Sequence, residues 1–312
     1  MTTAIAHPSL ALIKYWGKKD PILNLPDTTS LALTLDGIDT TTTVETARVD
    51  KIVINDEEQD PAYYKPYLDQ FRQLGDYQNG FNIKSTNNFP TAAGLASSSS
   101  GFAALTVALD NLLGLNLPRE ELSSLARIGS GSACRALFEG FTIWSEGSTH
   151  AECIYNKQHW PELRVLLIQT QKGKKSISSR SGMTLSKETS PFYNEWLESS
   201  RSIIKPSVEG IAKRDLAILG PYIRQSYLRM FSTMFTANPP FIFWSPQTLD
   251  IIHFVQKLRD EGICVWETMD AGPQVKLFFE EKDEDRILGA INNKYPELNT
   301  FKTKPGLGAH LI

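Results

Sequence analysis

Phe102, Leu105, Leu109 and Leu112 recur at i, i+3, i+7 and i+10, which lays one apolar stripe along a helix. The predicted helix begins near the serines at 97–100 and runs to about 113. Upstream, Leu31, Leu33 and Leu35 alternate with polar or small residues, residues 40–44 are threonine-rich, and 51–55 supplies another short β-prone run. A helix is expected around 62–74 and a strand near 81–86. Pro118 with Glu120 and Glu121 opens a further helix ending near Gly129, the carboxylates complementing the positive end of its dipole. Residues 141–144 and 163–170 read as strands that complete a first sheet.

Beyond them the pattern changes. Residues 171–182 are too polar and basic for a core and suit a loop between domains. Helical patterns occupy roughly 187–235, broken at Pro206, and another helix starts at Ser245-Pro246 and stops at Gly262. Strands at 263–267 and 274–280 flank Asp270-Ala271-Gly272-Pro273. The second half therefore predicts helices on one face of an antiparallel sheet. Two domains are expected, 1–170 and 171–312, with the loops at 90–101, 129–135, 171–182 and 268–273 converging on the cleft between them.

Composition narrows the function. The 312 residues are 41% hydrophobic and 21% charged, with no apolar run near the roughly 20 residues of a membrane span. No export signal is evident at the N-terminus, so the cytoplasm is the expected compartment. Cys134, Cys153 and Cys264 are too few and too scattered for a disulfide framework or a zinc ribbon. A net charge of −3 with both signs dispersed argues against a nucleic-acid binder and leaves room for a local basic pocket that takes a small anion.

Four segments carry candidate chemistry. The small-residue run from Pro90 to Gly101 leads into the apolar helix, so free N–H groups and the helix dipole would face an anion there. It contains neither G-x-x-x-x-G-K-[ST] nor G-x-G-x-x-G, which disfavours an ordinary P-loop or a dinucleotide site. Lys14-Tyr15-Trp16-Gly17-Lys18-Lys19 puts aromatic and cationic groups at a strand end. Ser130-Gly131-Ser132-Ala133-Cys134-Arg135 offers backbone N–H groups, two hydroxyls and a guanidinium fork. Met269-Asp270-Ala271-Gly272-Pro273 places a carboxylate between strands, where it would orient or deprotonate a hydroxyl. Singly, each has a plainer reading: a serine-capped turn, a solvated basic turn, a helix end with a surface arginine, and a turn aspartate.

Together, in this order, they resemble the mevalonate diphosphate decarboxylases of the GHMP kinase superfamily. The match comprises Ala93-Gly94-Leu95-Ala96-Ser97-Ser98 with Gly101, Ala11-Leu12-Ile13-Lys14-Tyr15-Trp16-Gly17-Lys18, the hexapeptide ending at Arg135, Ser178-Ser179-Arg180-Ser181-Gly182-Met183, Met269 to Pro273 and the closing Pro305-Gly306-Leu307-Gly308-Ala309. The resemblance implies an α+β, two-domain fold: an N-terminal α/β domain of the ribosomal-protein-S5 type and a C-terminal α+β sandwich with an antiparallel sheet. It implies ATP- and Mg²⁺-dependent phosphorylation of the C3 hydroxyl of mevalonate 5-diphosphate, followed by loss of phosphate and CO₂.

By the same resemblance, Asp270 would lie against that hydroxyl as base or as orienting carboxylate. Arg135 would hold the substrate carboxylate, and Lys18 would sit near Asp270. Tyr15, Trp16, Gly17, Ser130, Gly131, Ser132, Ala133, Cys134, Ser179 and Arg180 would contact substrate. Gly94, Leu95, Ala96, Ser97, Ser98, Ser99 and Gly101 would hold the nucleotide, with Lys174 or Lys175 closing over its phosphates. A homodimer is implied; no nucleic acid, membrane or protein-held metal beyond nucleotide-bound Mg²⁺ is expected. Ser9, where the family commonly has asparagine, and Asp27-Thr28-Thr29-Ser30 depart from the pattern. The rival expectations are a mevalonate 5-phosphate decarboxylase, a 3-kinase of the same superfamily, and a non-catalytic metabolite-binding module.

Overall fold

Strands Ser9–Ile13 and Ser30–Thr34 are buried at every position, so both faces of this antiparallel pair lie inside the molecule. The computed structural model describes residues 1–89, 97–171 and 177–312. The pair continues through Phe141–Trp144 to Glu152–Tyr155, forming a four-stranded antiparallel sheet. A separate six-stranded sheet runs in the order His310–Leu311, Thr2–Ala6, Thr40–Ala47, Gly80–Asn87, Lys51–Ile54, Glu57–Gln59. The last strand of the chain thus returns to the first.

Strand Thr40–Ala47 alternates buried with half-buried residues over 40–45, as a strand with one covered face should, before Thr46 emerges at the end. Its cover includes helix α2, Ser97–Leu113, which packs with α1 (Pro61–Leu74), α3 (Arg119–Gly129) and α4 (Ala133–Ala136) around a core that includes Phe71, Phe102, Leu109, Leu122 and Ala136. The predicted stripe is buried at Phe102, Leu105 and Leu109 and partly covered at Leu112, but Ala103, Ala104, Thr106, Val107 and Ala108 are buried too, so the middle of α2 is covered all round.

The third sheet orders Trp266–Thr268, Val275–Glu280, Leu163–Gln169 and Asn299–Thr303, all antiparallel. Leu163–Gln169 therefore belongs here and not to the first sheet. Its residues are sorted by parity: Leu163, Val165 and Leu167 pack toward Leu10, Leu33 and Phe141, whereas Leu166 and Ile168 join the core under the C-terminal helices. Those helices are α5 (Ser179–Thr189), α6 (Tyr193–Lys213), α7 (Leu216–Phe235), α8 (Pro246–Asp260) and α9 (Glu284–Lys294). Among the described residues no helix is long and apolar enough to cross a membrane.

Two predicted boundaries move. Pro206 lies inside α6, and the break comes instead at Arg214, whose φ of 54° is left-handed, followed by Asp215 capping α7. An internal proline costs roughly 3 kcal/mol. Packing offsets that cost, because α6 buries Ile203, Ser207, Gly210 and Ile211, and a side chain at Gly210 would press against the backbone of Leu219. The second change is at α5, which begins at Ser179 within the supposed linker, capped by the Ser178 hydroxyl accepting from the Ser181 N–H at 3.0 Å. Its buried face is Gly182, Met183 and Ser186, too small and polar to show as a hydrophobic stripe.

Candidate active site

Strand Ser9–Ile13 ends inside the molecule, so the next side chain, Lys14, is almost wholly buried. Its backbone N–H donates to Ser226 Oγ of α7 at 2.8 Å. Its ammonium donates to Ala11 O at 2.7 Å and to Asp270 Oδ1 at 2.9 Å. Lys276, on the strand that follows the Asp270 turn, brings a second ammonium to 3.3 Å from Asp270 Oδ2. Burial pushes the Asp270 carboxyl up, but the two ammonium groups more than reverse this and hold it well below the usual carboxylate range. Burial lowers Lys14 to about 8, against the opposing pull of Asp270. The result is a fixed carboxylate, 31% exposed, with two cations at its back.

Lys18 does not occupy the place expected for it. Gly17, at φ 109°, turns the chain, and the Lys18 ammonium donates to Asn24 Oδ1 at 2.6 Å instead of meeting Asp270. Asn24 is itself anchored through its amide to the carbonyls of Arg127 and Ile128 at 3.0 and 2.9 Å. Burial, then the nearby Arg180 charge, lowers Lys18 to about 8. Lys18 still borders the same cavity, from another wall.

Arg135 is held in α4 with 2% exposure, its Nη1 donating to Ser30 Oγ at 2.7 Å. Around it the small residues have steric reasons. A Cβ at Gly131 would lie 2.6 Å from Tyr15 Oη, and the Tyr15 ring packs on Trp144 with centroids 4.8 Å apart. The two hydroxyl-rich segments meet: Ser130 Oγ donates to Ser98 Oγ at 3.2 Å, and Ser99 Oγ to Ser132 O at 3.1 Å.

These groups enclose a cavity of about 410 Å³. Tyr15, Trp16, Lys18, Ser97, Ser98, Ser130, Gly131, Ser132, Arg135, Ser179, Arg180 and Asp270 all line it. Five predicted residues do not. Within the hexapeptide Ala133 and Cys134 are fully buried, and the Cys134 thiol donates to Gly131 O at 3.0 Å and is pushed up to about 12 by burial. Ser99 points to Ser132, Gly101 sits within α2, and Gly17 abuts Tyr193. Gly94, Leu95, Ala96, Lys174 and Lys175 lie outside the described residues.

Of the departures from the family pattern, Ser9 lines the cavity, whereas Asp27 Oδ2 accepts from Lys187 Nζ and Tyr193 Oη at 2.8 and 2.7 Å. Lys14, Lys276 and Asn24 were missed. Lys276 did leave a trace, a lone cation beside the apolar run Leu277, Phe278 and Phe279, where burial implies a partner.

What the cavity can hold follows from its unsatisfied groups. Ser9 Oγ, Tyr15 Oη, Trp16 Nε1 and Arg135 Nε are buried without a partner among the described residues. Lys14, Lys18, Arg135 and Arg180 outnumber Asp270, so the lining carries excess positive charge suited to an anion rich in oxygen acceptors. The hydroxyls of Ser97 and Ser98 add hard oxygen donors of the kind Mg²⁺ accepts alongside phosphate. A wider depression of about 610 Å³ shares no residue with this cavity and sets Glu162, Glu280 and Glu281 against Lys213, Arg214 and Lys282.

Comparison with known proteins gives a consistent picture. Residues 6–155 match the diphosphomevalonate decarboxylase-like N-terminal domain, and residues 165–307 match the mevalonate 5-diphosphate decarboxylase C-terminal domain. The diphosphomevalonate decarboxylase of Danio rerio is 34% identical over 336 residues, spanning 98% of this chain and 83% of the relative. A solved structure of the mevalonate diphosphate decarboxylase from Enterococcus faecalis superposes with a TM-score of 0.93 at 39% identity, covering 100% of this chain and 98% of the other. The structure of MDDEF in complex with MVAPP, AMPPCP and magnesium gives a TM-score of 0.94 at 40% identity, with the same coverage.

Proposed function

The chain belongs to the diphosphomevalonate decarboxylase family, and from that premise we propose that the cavity walled by Lys14, Arg135 and Asp270 is its reaction centre. The protein catalyses the ATP-dependent decarboxylation of mevalonate 5-diphosphate to isopentenyl diphosphate, with release of ADP, phosphate and CO₂. Mg²⁺, bound with ATP, offsets phosphate charge during transfer. The phosphoryl group goes to the C3 oxygen. The C3–O bond then breaks with its electron pair leaving on phosphate, and the C1–C2 pair becomes the new double bond as CO₂ departs.

The observation that carries this reading is the Lys14–Asp270–Lys276 arrangement. A carboxylate held so far toward its ionised form is a weak base, so Asp270 orients the C3 hydroxyl by accepting its hydrogen bond, and it faces the positive charge that develops at C3. The hydroxyl proton passes to a phosphate oxygen, a stronger acceptor near neutral pH. Arg135, with Nε still unpaired, holds the C1 carboxylate and so fixes the bond that must break. Tyr15, Trp16, Ser130, Ser132 and Arg180 receive the diphosphate end, while Ser97 and Ser98 face the nucleotide phosphates.

From the resemblance we also propose a cytoplasmic homodimer. We divide the chain just before Leu163 instead of at 170, because Leu163–Gln169 is hydrogen-bonded between Val275–Glu280 and Asn299–Thr303. The test of function is direct. With ATP, Mg²⁺ and mevalonate 5-diphosphate the purified protein should release ADP and CO₂ in equal amounts. ADP without CO₂ would make it a 3-kinase, and faster turnover of the monophosphate would reassign the substrate.

A further inference from the structure

Four aromatic rings border the cavity: Tyr15, Trp16, Tyr63 and Phe102. Three are covered, Tyr15 in part and the other two almost wholly. Tyr15 packs on Trp144, Trp16 is 1% exposed, and Phe102 is 9% exposed beneath α1. Tyr63, in the first turn of α1, is 61% exposed although it lines the same space.

Its position is fixed from below. Tyr63 meets Tyr64 edge to face with centroids 5.0 Å apart, Tyr64 lies 5.9 Å from Phe102, and Phe102 is met edge-on by Tyr67 at 5.0 Å. Tyr67 is pinned in turn by its hydroxyl, 2.7 Å from Thr106 Oγ1. A ladder of rings thus climbs from the N-terminal core to the cavity rim, and it rises beside Phe102, one turn beyond the serine hydroxyls that open α2. A lone exposed aromatic is ordinary on a protein surface. An exposed ring seated on a rigid aromatic stack, at the mouth of a cavity and beside the hydroxyls suited to phosphates, is a binding platform.

The polarity of the cavity defines the occupant. Its Lys14, Lys18, Arg135 and Arg180 side demands anionic oxygen, whereas the Tyr63 rim offers an uncharged flat surface. A nucleoside triphosphate has that same division between charged chain and planar base. We infer that Tyr63 is the stacking platform for the nucleobase, and hence a determinant of affinity for ATP as opposed to a bare polyphosphate. This rests on the nucleotide reading of the Ser97 and Ser98 end.

The test is calorimetric titration of the full chain with Mg²⁺-ATP and, separately, with Mg²⁺-tripolyphosphate. Tyr63→Ala should weaken ATP about tenfold, the scale of one base–aromatic stack. Tripolyphosphate affinity should stay within about twofold of wild type, because its binding does not use the ring. Tyr63→Trp should restore ATP binding to within about threefold and have its fluorescence quenched by ATP but not by tripolyphosphate. Unchanged ATP affinity in Tyr63→Ala, equal losses for both ligands, or a Trp variant indifferent to ATP would overturn the assignment. Turnover plays no part in these readouts, so their failure is separable from failure of the decarboxylase reading, which the CO₂ measurement decides.

Discussion

Replacing Lys276 by methionine separates what the site does for stability from what it does for chemistry. The Lys276 ammonium lies 3.3 Å from Asp270, Lys14 lies at 2.9 Å, and both lysine side chains are 2% exposed. At an effective dielectric of 20, a pair at that separation attracts by about 5 kcal/mol gross. The 31% exposure of Asp270 screens part of this, and desolvating a buried ammonium costs several kcal/mol. The two terms nearly cancel. Removing one partner of a buried pair is usually costly because the other charge is orphaned, but here Lys14 still holds Asp270. Local charge in the ligand-free protein even moves toward neutrality, since Lys14, Lys276 and Arg135 face one carboxylate. Lys276→Met should therefore leave unfolding free energy within about 1.5 kcal/mol of wild type by urea titration. Turnover should fall roughly 10- to 100-fold, because Asp270 loses one of the two cations that fix its carboxylate, and a small misplacement of a reacting group is typically worth that much. A loss of stability of about 3–5 kcal/mol with CO₂ release unchanged would make Lys276 purely structural and refute the reasoning.

Other outcomes follow from the same geometry. Arg135→Lys keeps the charge but loses the planar fork, so the KM for mevalonate 5-diphosphate should rise and kcat fall, together about 100-fold in kcat/KM, with Tm nearly unchanged; activity within threefold of wild type would contradict a bidentate role. Lys14 and Lys18 are each lowered to about 8, so kcat/KM should be level below that pH and fall above it as either ammonium is lost. Between about 8 and the ordinary lysine value the unfolded chain holds more protons, so these two groups make stability rise as activity falls, and a melting curve tracking the activity loss would reject the assignment. Gly17→Ala should cost about 2 kcal/mol or more by chemical unfolding, since φ is 109° and the added Cβ would collide with Tyr193 Oη; a neutral result would mean the turn is freer than described.

How far the sequence could be read depended on whether a signal was local. The α2 stripe, the Ser245 cap of α8 and the Asp270 turn between two strands are local patterns, and the structure contains each of them. The convergence of distant loops was also legible: residues 97–98, 129–132, 178–180 and 270–271 all line one cavity. Lys14 and Lys18 show the limit. Both are cations in one motif, and which reaches Asp270 depends on where the strand stops and how Gly17 turns the chain. Leu163–Gln169 has the apolar run of a buried strand, which does not say which sheet will claim it; pairing with Val275–Glu280 is a long-range fact. Pro206 misled because a breaker acts locally while its tolerance is decided by the packing of α6 on α7.

The role of the Asp270 charge is tested by Asp270→Asn, assayed by single-turnover release of CO₂ from mevalonate 5-diphosphate with ATP and Mg²⁺. Asparagine keeps the shape and an acceptor oxygen for the lysines but removes the charge facing C3. CO₂ release should be slower by about 10²–10³-fold or more, with substrate and nucleotide dissociation constants within about threefold of wild type. Release at a rate within threefold of wild type would contradict that role.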